Sequence, residues 1–150
     1  MKGLKVIRAQ PSNAIDIYPL FEKAAKEGVF QDVPKEKDIK NQYFKTLDEL
    51  KSPYHFWYLA LRGRGFLGYI HAIAIPSRWT GVFDHMVVDV CYVAEHRRKN
   101  GIGKKLIEEL KKEAENIGIR RIEFICPDEQ IDMWKKYGAA KSRNLMRVTL

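Results

Sequence analysis

The sequence predicts an α/β (α+β) fold, and three observations predict it. Six short runs carry strand patterns, and four longer ones repeat apolar residues at helical spacing, in the order strand, two helices, three strands, helix, strand, helix, strand. Arg62-Gly63-Arg64-Gly65 separates two of the strand runs by a glycine-rich turn that suits a hairpin. The apolar run Met86–Val93 feeds a short glycine loop, and an amphipathic helix leaves from it.

Leu4–Ala9 alternates as a first strand. Pro11, Ser12 and Asn13 break it and offer an N-cap. Ile17, Leu20, Phe21, Ala24 and Ala25 mark a first helix that ends at Gly28. Pro19 falls near its start, where the missing N–H costs little. After the polar connector Val29–Lys37, Ile39, Tyr43, Leu47 and Leu50 stripe a second helix, which stops before Pro53. Tyr54–Leu61 and Phe66–Ile75 are the hairpin strands. Val82–Val93 is apolar on both faces, as a central strand is. Gly103–Ile117 turns Leu106, Ile107, Leu110, Ala114 and Ile117 inward, with Gly118 as its C-cap. Arg121–Cys126, a short helix at Asp128–Tyr137 and a last strand at Leu145–Leu150 complete the order.

The 150 residues suit one domain, 1–150, with room for a core. At 45% hydrophobic and 31% charged the balance is globular rather than disordered. The net charge of +8 suits an acidic ligand, an anionic membrane or nucleic acid, and equally plain solubility. Cys91 and Cys126 close apolar runs, with no C-x-x-C, and read as buried reduced thiols. Met1–Ala9 does not read as a signal peptide, and no apolar run approaches a membrane span. The expectation is a soluble, cytoplasmic protein.

Arg98-Lys99-Asn100-Gly101-Ile102-Gly103 is the stretch with the most chemistry in it. Two glycines beside a helix start let the backbone approach a ligand closely. The first N–H groups of the helix lie at the positive end of its dipole, which makes an anion site. Arg97, Arg98, Lys99, Lys104 and Lys105 surround it with positive charge. The spacing is neither G-x-x-x-x-G-K-[ST] nor G-x-G-x-x-G, which argues against a nucleotide triphosphatase and a dinucleotide fold. Arg98, Gly101 and Gly103, with Val93 five residues earlier, resemble the acyl-CoA pyrophosphate loop [RQ]-x-x-G-x-[GA] of the GNAT superfamily of N-acetyltransferases. The element order resembles that family too, as do Phe66-Leu67-Gly68-Tyr69 and the Trp134–Gly138 stretch.

The resemblance implies a GNAT fold, a mixed and mostly antiparallel sheet of six to seven strands flanked by about four helices. It implies acetyl-CoA as cofactor and direct transfer of the acetyl group to a primary amine, small or on a protein. Backbone groups of Cys91, Tyr92 and Val93 would pair with the pantetheine. Those of Lys99, Asn100, Gly101, Ile102, Gly103 and Lys104, with the Arg98 side chain, would hold the pyrophosphate. Pro127 and Asp128 replace the Asn usual at the start of the last helix, which puts some pantetheine contacts in doubt.

A protonated amine cannot attack, so a base is required, and a carboxylate is the usual one. Asp89 sits in the apolar run Val87–Val90 and, counted by twos, shares a strand face with Cys91 and Val93. A carboxylate there is functional, or it is bonded to a neighbouring strand. His85, on the same face nearer the strand start, is the second candidate base. Trp134 stands where the family carries the Tyr that protonates the departing thiolate, and an indole N–H is no practical acid. Tyr137, three residues on, would share its helix face as a substitute. That offset displaces its hydroxyl by nearly a turn, so loss of the hydroxyl is expected to be silent. Phe30, Gln31, Tyr43, Trp79 and Arg143 fall where the family builds its acceptor site, although aromatic residues there pack as readily as they bind. The competing readings are a CoA-binding module with weakened catalysis and a basic nucleic-acid-associated protein. The second lacks any aromatic-basic recognition signature. A monomer or homodimer is expected, with no membrane partner.

Overall fold

The computed structural model describes residues 3–29, 36–124, 126 and 131–140, with 36–40 as backbone only. Its elements are β1 (Leu4–Arg8), α1 (Ala14–Lys26), α2 (Glu36–Lys51), β2 (His55–Arg62), β3 (Gly65–Pro76), β4 (Phe83–Val93), α3 (Ile102–Asn116), β5 (Ile122–Phe124) and α4 (Ile131–Lys135). Short 3-10 turns at Pro11–Asn13 and Glu95–Arg97 lead into α1 and away from β4. As far as α4 the elements follow the expected order. The strand expected at Leu145–Leu150 lies outside the described residues, which carry five strands in one sheet.

The strands lie in the order β1-β2-β3-β4-β5. The first four pair antiparallel, and β5 runs parallel to β4, so the sheet is mixed. The turn between β2 and β3 is two residues, Gly63-Arg64, and Gly63 takes φ 59°, the left-handed conformation such a turn demands. Gly68 answers a different need. A Cβ there would lie 2.4 Å from the Tyr92 carbonyl oxygen, so only glycine lets β3 approach β4 at this point.

The sheet is covered on both faces. On one, Ile70, Ala72, Ala74, Met86 and Val88 pack against Leu106, Ile107, Leu110 and Ala114 of α3 and against Trp134 of α4. On the other, Trp57, Leu59, Tyr69, Val90 and Tyr92 meet Ile17, Leu20 and Ala24 of α1. β2 alternates cleanly between them: Phe56, Tyr58 and Ala60 face α3, and Trp57 and Leu59 face α1.

Pro19 is the sixth residue of α1 rather than one of its first. Its missing N–H leaves the carbonyl of Ile15 without a helical donor, and Ile15 is exposed, so water can take that role. The stripe of α2 also differs from expectation. Among its described side chains Thr46 and Glu49 are the buried ones, and Phe44 is exposed. Glu49 is turned inward because two histidines of the sheet stand opposite it.

Candidate active site

β4 is not a regular strand. Val88 pairs with Ala72 and Val90 with His71, which leaves Asp89 as an extra residue in a bulge. Met86 and Val88 face α3, and past the bulge Val90 and Tyr92 face α1. Cys91 and Val93 pack on the α3 side. The face shared by Asp89, Cys91 and Val93, expected from counting by twos, is therefore not formed, because one inserted residue shifts the count. Asp89 belongs with His71 instead. Its Oδ2 is 3.2 Å from His71 Nδ1, and His71 Nε2 is 2.9 Å from His55 Nδ1. The hydrogen bond from His71 holds the Asp89 carboxyl below the usual carboxylate range. Asp89 thus is bonded to a neighbouring strand and also remains accessible, with its side chain 61% exposed.

His85 is engaged at the other end of the strand. Its Nδ1 is 2.7 Å from Asp84 Oδ2, and Arg121 and Glu123 complete an ion cluster around it. Four strand residues, about 13 Å, separate it from Asp89, so the two candidate bases are not brought together.

β5 pairs with β4 only over Met86–Val88. From Asp89 to Val93 the β5-side edge of β4 has no strand neighbour among the described residues. Backbone groups at Cys91 and the Val93 N–H thus lie along an open edge, while the Val93 carbonyl accepts from Arg98 Nε.

The loop beyond β4 is built for close approach. Lys99 takes φ 63°, a conformation rare outside glycine, and Gly101, the N-cap of α3, takes φ 71°. No side chain caps α3. The first intrahelical bond is Lys105 N–H to the Gly101 carbonyl, so the N–H groups of Ile102, Gly103 and Lys104 have no partner within the helix. A Cβ on Gly101 would meet nothing within 4 Å, so it points into open space. A shallow depression there is lined by Leu4, Asn100, Gly101, Lys104, Lys105 and Glu108. Ile102 is itself buried in the core and serves to seat the helix. The Arg98 side chain faces elsewhere. Its Nε donates to the Val93 carbonyl at 2.9 Å and its Nη2 to Glu27, which also accepts from the Tyr92 hydroxyl. Arg98 ties the loop to the end of β4 and to the C-terminus of α1.

Residues 16–139 match the model of the acetyltransferase (GNAT) family. The chain belongs to the GNAT family. It is an acyltransferase, and acetyl-CoA is its cofactor. No curated protein matches it by sequence. Among solved structures it is similar to a ribosomal-protein-alanine N-acetyltransferase from Brucella melitensis biovar Abortus 2308, with TM-score 0.73, 20% identity and coverage of 98% of this chain and 99% of that one. A second is the aminoglycoside acetyltransferase meta-AAC0020 from an uncultured soil metagenomic sample, with TM-score 0.79, 15% identity and coverage of 99% and 97%. A third is a predicted acetyltransferase from Clostridium acetobutylicum with acetyl-CoA, with TM-score 0.80, 14% identity and coverage of 97% and 96%. At these identities the likeness is one of fold.

The residues present fit the GNAT cofactor. Uncapped helix N–H groups, a left-handed glycine facing open space and surrounding lysines form an anion cradle, and the open β4 edge leads to it. The end of the chain is less regular than its sequence suggests. α4 closes at Lys135, and Tyr137 sits in the following turn, its N–H bonded to the Trp134 carbonyl. The turn still keeps the two side chains together: the Trp134 and Tyr137 rings meet edge-on with centroids 6.2 Å apart. Trp134 is buried, 4.1 Å between ring centroids from Phe124, and its Nε1 has no hydrogen-bond partner among the described residues. It packs as core. Tyr137 is part-buried near Cys91. Burial first, and then Cys91, raise the pKa of its phenol. Of the expected acceptor-site residues, Tyr43 packs edge-on to Tyr18 and Phe44, and Trp79 is 92% exposed. Phe30, Gln31 and Arg143 lie outside the described residues, as do Pro127 and Asp128. No helix among the described residues is long and apolar enough to cross a membrane.

The sequence reading missed His71, His55 and Glu49. A lone histidine in an apolar strand signals a satisfied core residue as readily as a site, and the pairings span 16 to 22 residues of chain. The only signal was weak, a charged residue at an apolar position in each of two neighbouring strands.

Proposed function

We propose that this protein transfers an acetyl group from acetyl-CoA directly to a primary amine, on a small molecule or a protein. The observation that supports it best is the bulge in β4, which carries an ionised, accessible carboxylate to the head of an open strand edge. Bound acetyl-CoA supplies a thioester carbon for the amine to attack. Asp89 takes the proton that the attacking amine must lose, directly or through a water. His71 holds Asp89 Oδ2 and leaves Oδ1 for that proton. The extra residue of the bulge takes its backbone out of the β3 ladder, which frees a donor for developing negative charge on the acetyl oxygen.

Cys91, Tyr92 and Val93 offer backbone groups to the pantetheine. The N–H groups of Ile102, Gly103 and Lys104, with the charges of Lys99 and Lys104 and the Asn100 and Gly101 backbone, hold the pyrophosphate. Arg98 acts by fixing the loop. Tyr137 would give its own phenol proton to the thiolate released as the C–S bond breaks, and solvent would reprotonate it. Its raised pKa keeps the phenol protonated until then. The aromatic group Tyr18, Tyr43 and Phe44 on α1 and α2 borders the acceptor side. The reading of 1–150 as one domain draws support from the coverage of the neighbours' folds.

Acetyl-CoA-dependent thiol release, measured over a panel of polyamines, aminoglycosides and peptide N-termini, tests the proposal. Stimulation by one amine class, with acetylated product by mass spectrometry, is the expected result. Binding of acetyl-CoA without transfer to any amine would favour the CoA-binding module.

A further inference from the structure

We propose that Glu49, His55 and His71 form a binding site for one divalent transition ion, with zinc the best-suited ion. A carboxylate oxygen of Glu49, a ring nitrogen of His55 and one of His71 all lie within 4.8 Å of one another. They come from three separate elements, α2, β2 and β3, and converge on the α1–α2 side of the sheet.

The hydrogen bonds decide where the lone pairs point. An ionised Asp89 only accepts, so His71 carries its proton on Nδ1, 3.2 Å away. His71 Nε2 is then the ring's acceptor and receives the His55 Nδ1–H at 2.9 Å, so an ion bound there displaces that proton and leaves His55 protonated on Nε2. A carboxylate behind an imidazole is the outer-shell arrangement that orients metal-ligating histidines. His71 is also clamped in place. It is 2% exposed and stacks on Trp57 with 4.2 Å between ring centroids.

An independent observation concerns Glu49, whose Oε1 pairs with Lys45 Nζ at 3.6 Å while its other oxygen faces the imidazoles. Glu49 Oε2 is buried and has no hydrogen-bond partner among the described residues, and the whole side chain is 10% exposed. A buried carboxylate oxygen without a donor is costly. Its neighbours are two imidazole nitrogens, one of them at 3.9 Å. Two imidazoles and one carboxylate with a fourth position open are a zinc donor set, whereas calcium and magnesium prefer oxygen alone. Zn–N distances of about 2.0–2.1 Å place two nitrogens about 3.3 Å apart in a tetrahedron. The His55–His71 separation of 2.9 Å therefore opens slightly and the Glu49–His71 separation closes. His55 is half-buried and Glu49 lies on a helix, so both can adjust. The ion would staple α2 to the sheet directly behind Asp89.

The test uses full-length protein stripped with a chelator. Zn²⁺ is titrated in competition with a chromogenic chelator, and Co²⁺ is followed by its visible absorption. The expected result is one tight equivalent with the intense bands of tetrahedral cobalt, and a Tm raised by Zn²⁺. Glu49→Gln and His55→Gln should each weaken binding at least ~10-fold, and Asp89→Asn about 10–100-fold. His85→Gln, in the separate Asp84/Glu123 cluster, should leave it unchanged. Circular dichroism of the metal-free variants verifies folding, and His55→Gln, at a half-buried position, carries the test if Glu49→Gln does not fold. Absence of tight binding by wild type, or binding that survives His55→Gln but is lost in His85→Gln, would overturn the proposal.

Discussion

Asp89 Oδ2 stands 3.2 Å from His71 Nδ1 across the β3–β4 ladder, and the contact exists because β4 carries one extra residue there. Without the bulge, Asp89 would lie in register with a β3 residue. With it, the carboxylate is fastened on one oxygen and open on the other. Asp89→Asn should keep the shape while removing the base. We expect kcat/KM to fall at least ~10-fold with the acetyl-CoA-induced rise in Tm retained. Loss of stability in place of activity would assign Asp89 to structure.

Gly101 offers a clean test of the anion cradle. A Cβ there meets no protein atom within 4 Å beyond its chain neighbours, so a longer side chain extends into the open space above the helix N-terminus. Gly101→Glu should abolish stabilisation by acetyl-CoA. Gly101→Ala controls for the left-handed φ of 71°, which costs roughly 1–2 kcal/mol for a residue with a Cβ. Equal acetyl-CoA affinity in Gly101→Glu and wild type would place the cofactor elsewhere.

Gly68 is constrained from the opposite direction. A methyl group there meets the Tyr92 carbonyl oxygen at 2.4 Å and the Val93 Cα at 3.1 Å, both backbone. Gly68→Ala should destabilise the fold by about 2 kcal/mol or more. It should also displace the β4 edge at Val93, weakening acetyl-CoA binding. Denaturant unfolding with and without the cofactor measures both effects. A stability change under ~0.5 kcal/mol would show that β3 and β4 separate freely here.

Tyr137→Phe removes one hydroxyl and keeps the ring. With Tyr137 in a turn beside Cys91 rather than on the helix, the change should lower kcat ~10-fold or more while acetyl-CoA still binds. Unchanged kcat would leave protonation of the thiolate to solvent.

Burial pushes the Cys91 thiol up to about 12. Its folded pKa lies above the unfolded value of about 8.5. The folded state therefore binds more protons between these values, and this group's stabilising contribution is complete below pH ~8.5 and lost as pH rises toward 12. At pH 8 native Cys91 should resist iodoacetamide, whereas the unfolded chain reacts readily. Site-resolved mass spectrometry after brief alkylation checks this, and rapid native labelling of the part-buried thiol would contradict its raised pKa.

The parts of the molecule legible in sequence were those written in local periodicity. Leu106, Ile107, Leu110 and Ala114 fixed the inner face of α3, and Gly101 and Gly103 marked its start. The bulge was not legible. Val87, Val88 and Val90 are apolar on either side of Asp89, so no change of pattern betrays the inserted residue. The expected helix ran two residues past the end of α4 at Lys135, yet the turn that follows keeps the Tyr137 ring edge-on to Trp134, as three-residue spacing implies. Glu49, His55 and His71 escaped notice because their meaning lies in distances between elements far apart in the chain.

The short pairing of β5 with β4 has a consequence for the protein between encounters with its cofactor. Past Val88, the β4 edge holds main-chain donors and acceptors that no strand among the described residues takes up. Such an edge is a template for any extended chain, including another copy of this one. Lying along that edge, the pantetheine arm would act as a removable guard against self-association. The protein's colloidal behaviour would then follow the supply of its acyl donor.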